Sequence, residues 1–196
     1  MAILARLRAE TRREHTMVER AILGSGMMDD RRAYVAYLRN MFGFHATADA
    51  SLQRSDTLRE ALDDLSERRK AAWLRDDLVA LGHTHADVDG IARLPLRAPL
   101  EGPRALGWAY VLEGATLGGR VLVPRLRDRL GLSSGLAFVT GYGPDTDARW
   151  QRFGRALEHH ATPDTASEIV AGAVAAFTAI HDWCVSRADA VDRSLR

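Results

Sequence analysis

Apolar residues recur at steps of three and four along most of the chain, which is the pattern of amphipathic helices. Over residues 2–23, one apolar stripe runs from Leu4 to Ile22 and includes His15. A second and broader apolar face covers residues 30–53. The same spacing predicts further helices over 57–64, 67–81, 104–122, 124–130, 147–160 and 163–188.

Glycine and proline residues predict where these helices end. Gly82 is placed to cap the helix that precedes it. The segment 83–103, which holds three prolines and two glycines, is expected to be one long irregular connection. The pair Gly118-Gly119 and the following Pro124 are expected to kink or break the helical run between 104 and 130.

No segment shows the strict alternation of a half-buried strand, and no repeat is present. We therefore predict an all-α fold, a helical bundle in a single domain over residues 1–196. The length of 196 residues, with 46% hydrophobic side chains, fits one globular domain. The only cysteine, Cys184, cannot form an internal disulfide bond, which is typical of a reducing compartment. Because no run of about 18 apolar residues occurs, we expect a cytoplasmic protein with no signal peptide and no membrane anchor.

The charges are balanced and mixed along the chain. There are 27 basic and 26 acidic residues, and the formal net charge is +1. No block of like charges occurs, so we expect no nucleic-acid partner, and an arginine-rich helical adaptor is disfavoured as well. Only one of the basic residues is a lysine, Lys70.

The motifs that are missing narrow the chemistry. The sequence has no phosphate-binding loop, no dinucleotide-binding glycine motif, no paired CxxC and no HExxH. None of the glutamates is followed three residues later by a histidine, which excludes the usual di-iron bundle. Gly131 to Gly135 matches the G-x-S-x-G nucleophile motif, but the strand that this motif requires is not predicted before it.

His15 is the most informative single residue. It falls on the stripe that should face the core, so its imidazole needs a polar partner. Glu19 lies four residues later, where its carboxylate can accept a bond from one ring nitrogen and leave the other free to bind a metal. Spacing alone leaves two interpretations open, a metal ligand and, more commonly, a satisfied core histidine.

Three glycines lie on one face of the predicted helix over 104–122. They are Gly107, Gly114 and Gly118, and each interior glycine weakens a helix by about 0.5–1 kcal/mol relative to alanine. Two structural causes can explain why glycines are kept at these helical positions. Either another helix packs very close, or a flat ligand lies against the exposed main chain.

Taken together, these motifs resemble those of heme oxygenases, most of all the bacterial biliverdin-forming type that supplies phytochromes. The resemblance extends from about Leu4 to Trp183. It rests on the following ordered set: Leu7-Arg-Ala-Glu-Thr-Arg-Arg-Glu-His15-Thr-Met-Val-Glu19, Tyr110-Val-Leu-Glu-Gly114-Ala-Thr-Leu-Gly118-Gly119, Gly141-Tyr-Gly-Pro-Asp-Thr146, Arg149-Trp-Gln-Arg152-Phe153, Thr162-Pro163 and Phe177.

The resemblance implies an enzyme that uses O2 and a reductant to cleave heme to biliverdin, Fe2+ and CO. His15 would be the proximal ligand of the heme iron, with Glu19 orienting its ring. Gly114 and Gly118 would cover the opposite heme face and leave room for O2. The remaining heme contacts that the resemblance implies are Arg8, Thr11, Tyr110, Gly119, Arg149, Arg152 and Phe177, of which Arg8 would bind one propionate and Arg149 or Arg152 the other.

Electrons would come from a ferredoxin or a flavin-type reductase, and the biliverdin could pass to a bacteriophytochrome. One position departs from much of the family, because Ala115 stands where an aspartate usually organises the water chain that delivers protons. Glu113 and Thr116 are candidates to replace it. Ala115 also leaves open a non-catalytic heme carrier or sensor with the same fold. A thiaminase-like hydrolase would need Cys184 as its nucleophile.

Overall fold

Helices account for all the regular secondary structure that the computed structural model describes, namely the backbone of residues 2–194 and the side chains of residues 2–187. The all-α prediction is confirmed, and these helices form one domain. They are α1 Ile3–Glu10, α2 Arg12–Gly24, α3 Arg31–Leu52, α4 Asp56–Ala61, α5 Lys70–Ala80, α6 His85–Asp89, α7 Gly102–Gly114, α8 Gly119–Leu130, α9 Ala137–Thr140, α10 Thr146–His160 and α11 Ala166–Ser194. Short 3-10 turns lie at Leu65–Glu67, Ala115–Gly118 and Gly143–Asp145.

The first predicted helix is divided in two at Thr11. This residue has φ of −110° and ψ of 9°, outside the helical region, and it lies between α1 and α2. Its hydroxyl donates a hydrogen bond of 2.7 Å to the Leu7 carbonyl oxygen. Prediction of one continuous helix over 2–23 was therefore wrong, because a threonine side chain can compete for the carbonyl that precedes it by one turn.

The break that is expected at Gly118-Gly119 and Pro124 occurs at the glycine pair and not at the proline. The helical run changes to a 3-10 turn at Ala115–Gly118, and Pro124 lies inside α8. We call residues Gly114 to Gly119 the glycine segment. The short helix α6 lies in the segment 83–103 that is predicted to be irregular, and α9 lies in a stretch for which no helix is predicted.

Helix α11 crosses the middle of the fold and packs along α7 and α2. Its contact with α7 is close, because a Cβ added to Gly172 would overlap the Arg104 carbonyl oxygen. Residues 166–187 are long and apolar enough to cross a membrane, with a mean hydropathy of 1.5. Ile169, Ala173 and Ala176 are nevertheless fully buried among the other helices, so α11 is a core helix of this domain.

Candidate functional site

Exposed apolar side chains concentrate on three elements. Five large hydrophobic side chains are exposed among the described residues, and all of them lie on α2, on α11 or on the stretch from the 3-10 turn into α8. They are Met17, Leu23, Leu117, Val121 and Val185. Exposed apolar surface concentrated in this way is typical of a ligand or partner site. The exposed surfaces of α2 and of the glycine segment are therefore the candidate site.

His15 lies on α2, and its ring is more exposed than the sequence predicts. The side chain is 57% exposed, and Nδ1 is 3.5 Å from Oε2 of Glu19. The Phe177 ring packs edge-on against the imidazole at 5.6 Å between ring centroids. Prediction of a core-facing ring was therefore wrong, although Thr11 and Val18 on the same stripe are buried. The imidazole keeps its acidic partner and has one edge open.

The structure separates the glycines into two kinds. A Cβ added to Gly107 would overlap the Ile169 carbonyl oxygen of α11, and one added to Gly119 would overlap the Val139 carbonyl oxygen. These two glycines are explained by close packing of the backbone. At Gly114 and Gly118 the nearest side-chain atoms would be 3.9 Å and 3.8 Å away, which is ordinary contact distance. Close packing therefore does not explain Gly114 and Gly118, and a ligand against their main chain stays a prediction.

Arg8, Thr11 and Tyr110 lie near one another, where α1 and the start of α2 meet α7. Tyr110 is buried, and burial raises the pKa of its hydroxyl, although the Arg8 charge and the Thr11 hydroxyl oppose that shift. The Arg8 side chain is exposed and forms no ion pair with any residue that the structure describes. Arg8 is therefore available to bind an anionic group.

Arg149 and Arg152 are engaged with other protein groups. Both donate to Oδ2 of the buried Asp64, at 3.1 Å and 3.2 Å respectively, and Arg149 also pairs with Glu67. Burial by itself would raise the pKa of Asp64, but a hydrogen bond from Arg68 and the nearby arginine charges hold it below its usual value. An anionic ligand would have to compete with these carboxylates for either arginine.

Glu113 and Thr116, the two candidates to replace the missing aspartate in proton delivery, both have side chains that are bonded to other protein groups. Glu113 is 4% exposed, and its carboxylate accepts hydrogen bonds from Arg68 at 2.5 Å, from Lys70 and from the Tyr142 hydroxyl. The hydroxyl of Thr116 donates to the carbonyl oxygen of Glu113 at 2.7 Å. The sequence pattern does not predict this buried cluster. The one signal for it is that Lys70 is the only lysine in the chain.

Cys184 lacks the properties of a nucleophile. It lies half-buried on α11, and burial raises the pKa of its thiol to about 11. A reactive cysteine needs a lowered pKa, so the hydrolase alternative is disfavoured. Among the residues that the structure describes, no group of three His, Cys, Asp or Glu side chains is placed to hold a metal ion. The candidate site therefore offers one exposed imidazole on α2 and main chain without side chains at Gly114 and Gly118.

Comparisons with known proteins agree on one family. The family model described as heme oxygenase matches residues 1–185. A protein named heme oxygenase from Xanthomonas campestris pv. campestris (strain 8004) is 37% identical over 125 residues, which are 62% of this chain and 70% of that protein. The NO- and CO-bound heme oxygenase from Neisseria meningitidis has a similar fold, with a TM-score of 0.81, 22% identity and coverage of 96% of this chain and 93% of that chain.

Proposed function

The chain belongs to the heme oxygenase family and is an enzyme of heme degradation, and from that premise we propose that the candidate site formed by α2 and the glycine segment is its active site. The observation that carries the proposal is the exposed imidazole of His15, and it is supported by two glycines, Gly114 and Gly118, that close backbone packing does not explain. In this proposal heme would lie between α2 and the glycine segment, with His15 holding its iron. We propose that the products are biliverdin, Fe2+ and CO.

His15 is suited to bind the heme iron. Because the carboxylate of Glu19 lies next to Nδ1, it favours the tautomer in which Nδ1 carries the proton and Nε2 keeps its lone pair. The edge-on contact with Phe177 restricts rotation of the ring. The two neighbours together would hold the ring so that Nε2 can bind the heme iron, and in our proposal no other residue serves as a metal ligand.

The glycine segment forms the opposite wall. Heme supplies both the iron that activates O2 and the meso carbon that is oxidised. With no side chains at Gly114 and Gly118, the main chain can approach the heme while a small space remains for O2. The exposed Leu117 and Val121 lie next to this space, and they would lose contact with water when heme is bound. Such closure keeps water from the reacting edge.

Propionate recognition is assigned first to Arg8. Its guanidinium has no acidic partner within the described part of the chain, and a planar guanidinium can bond both oxygens of a carboxylate. Arg149 and Arg152 are the candidates for the second propionate, in competition with Asp64 and Glu67. Thr11 and Tyr110 support the Arg8 side of the site. Gly119 contributes through its close packing against Val139.

The source of electrons and the use of the product are part of the proposal. No flavin or dinucleotide signature occurs in the sequence, which supports an external donor, a ferredoxin or a flavin-type reductase. We propose that the enzyme acts in the cytoplasm and that its biliverdin supplies a bacteriophytochrome. Family membership supports degradation of heme over the carrier or sensor alternative.

Substitution of His15 tests the site. The purified protein is mixed with one equivalent of hemin, and absorbance is followed in air after ascorbate or a ferredoxin reducing system is added. For the wild type we expect loss of the heme bands and growth of a broad red biliverdin band. His15→Ala should retain its fold but lose the histidine-ligated heme spectrum and the turnover, and free imidazole should restore the spectrum.

His159→Ala is the matched control, because His159 is exposed at the end of α10. It should behave as the wild type in both measurements. An unchanged heme spectrum in His15→Ala would remove His15 from the site. A stable wild-type complex that never degrades heme would instead support a carrier or sensor.

A further inference from the structure

We propose that Glu113 is a positioning residue for heme degradation, holding the glycine segment at a fixed distance from the heme through a buried cluster of charges. This inference rests on the proposed function, because it assumes that Gly114 and Gly118 cover the heme. Glu113 itself does not touch the heme in this proposal. Its carboxylate points into the protein, toward side chains that precede and begin α5.

The cluster joins three carboxylates to four cations. Its acidic members are Asp64, Glu67 and Glu113, and its basic members are Arg68, Lys70, Arg149 and Arg152. The Arg68, Lys70, Asp64 and Glu113 side chains are 2–6% exposed. Burial and the charge of Glu113 raise the pKa of Tyr142, so its hydroxyl stays protonated and donates to that carboxylate. Buried charges of this kind are stable only when all of them are paired.

Glu113 connects this cluster directly to the glycine segment. It is the residue before Gly114, and its carbonyl oxygen accepts the hydroxyl hydrogen bond of Thr116 inside the 3-10 turn. The Tyr142 loop also packs there, because a Cβ on Gly141 would be 3.1 Å from Cβ of Thr116. The carboxylate and the carbonyl of one residue therefore fix both the start and the middle of the segment.

A second connection runs through α10. Nη2 of Arg68 donates to the carbonyl oxygen of Arg149 at 3.3 Å. Among the described residues, the next one along, Trp150, provides the only side-chain atoms within 4 Å of a Cβ placed on Gly114. The ring that borders Gly114 is therefore tied to the same cluster as Glu113.

The segment needs such an anchor because it has few side-chain contacts of its own. Gly114 and Gly118 contribute no side chains, and Ala115 and Leu117 are exposed. Short 3-10 turns also have poorer hydrogen-bond geometry than α-helices. In our proposal the glycine segment therefore has no side chains toward the heme, and its position is fixed from the opposite side by the charged residues that bind Glu113.

Glu113→Gln tests the inference, because it removes the charge and keeps the shape. In the protein without heme, amide hydrogen exchange over residues 114–119 should become faster by roughly tenfold or more, the factor for one lost charge-assisted hydrogen bond. With heme, kcat should fall by roughly tenfold to a hundredfold while KM for heme changes little. The biliverdin should become a mixture of isomers in place of the wild-type distribution.

Val88→Ala is the matched control for a general loss of stability. Val88 is fully buried in α6, which packs against α5. This variant should lower the melting temperature without selective exchange at 114–119 and without a change in isomers. If Glu113→Gln fails to fold, Tyr142→Phe is judged by the same two readouts, since it removes the hydroxyl bond to Glu113 and leaves the charges in place.

Selective exchange at 114–119 together with altered isomers supports the inference. Exchange and isomers equal to wild type, or exchange that rises evenly across the protein as in Val88→Ala, would overturn it. The proposed function would survive that result, because it is tested separately by the heme spectrum of His15→Ala.

Discussion

Alanine substitutions at Gly107 and Gly114 should change stability in opposite directions. The two glycines are seven residues apart on α7, but only Gly107 faces the backbone of α11. Gly114 has φ of −59° and ψ of −33°, which alanine adopts without strain. Its new Cβ would meet only the Trp150 ring, at 3.9 Å. Gly114→Ala should therefore stabilise the heme-free protein by about 0.4–1 kcal/mol.

The expected shifts follow from the size of the chain. At about 2–4 °C per kcal/mol for a chain of this length, Gly114→Ala should raise the melting temperature by about 1–4 °C. In Gly107→Ala the Cβ would overlap the Ile169 carbonyl oxygen and lie 2.5 Å from the Ala173 nitrogen. Since backbone atoms cannot move aside cheaply, we expect a loss of about 1–3 kcal/mol or more. Circular dichroism during heating, without heme, measures both.

Turnover should follow the opposite order. Gly114→Leu places a side chain in the space assigned to the heme, so bilin formation should fall by roughly tenfold or more in a protein that remains folded. Gly107→Ala, assayed well below its melting temperature, should retain more activity than Gly114→Leu. A melting temperature of Gly114→Ala below the wild type would show that Gly114 is a packing glycine. Wild-type turnover by Gly114→Leu would refute its place in the active site.

Two further predictions concern titrating groups. Burial raises the pKa of the Cys184 thiol from 9.0 to about 11. At pH 8 this thiol should therefore react with iodoacetamide roughly 100-fold more slowly in the folded protein than in urea, as followed by mass spectrometry. Equal rates in the two states would contradict the burial of this thiol. Asp64 has a lowered pKa in the folded state, so its ionised form contributes stability that is complete above the unfolded pKa of about 3.9 and is lost as the pH falls through the folded value. The difference in unfolding free energy between the wild type and Asp64→Asn, measured with urea, should therefore shrink below about pH 4. Asp63→Asn, at an exposed position, serves as the control and should differ little from the wild type at any pH. An Asp64→Asn difference that stays constant between pH 6 and pH 2 would argue against the pairing.

Local patterns predicted the long helices well. The helix expected over 30–53 is observed at Arg31–Leu52, because one apolar face and the cap by Asp30, whose side chain accepts from the Ala33 nitrogen, specify it locally. The helix over 147–160 is observed at Thr146–His160. The order of the motifs along the chain was enough to indicate the heme oxygenase family. His15 with Glu19 as its neighbour was also accessible from spacing alone.

Contacts between distant parts of the chain were not predictable in this way. Which glycines pack against a helix depends on where α11 lies, and α11 is more than fifty residues from Gly107 in sequence. The partners of Arg149 are Asp64 and Glu67, more than eighty residues away. Glu113 points toward Lys70 for a similar reason. A sequence pattern shows the period of a helix, but it does not show which neighbour each face will meet.

The burial of Lys70 gives the protein an unusual chemical property. It is the only lysine in the sequence, and its ammonium group is 3% exposed in contact with Glu113. An amine-directed reagent therefore has no accessible side-chain amine while the cluster is closed. Acylation of Lys70 would require its contact with Glu113 to break. The rate of acylation would therefore report how often the buried charge cluster next to the glycine segment opens.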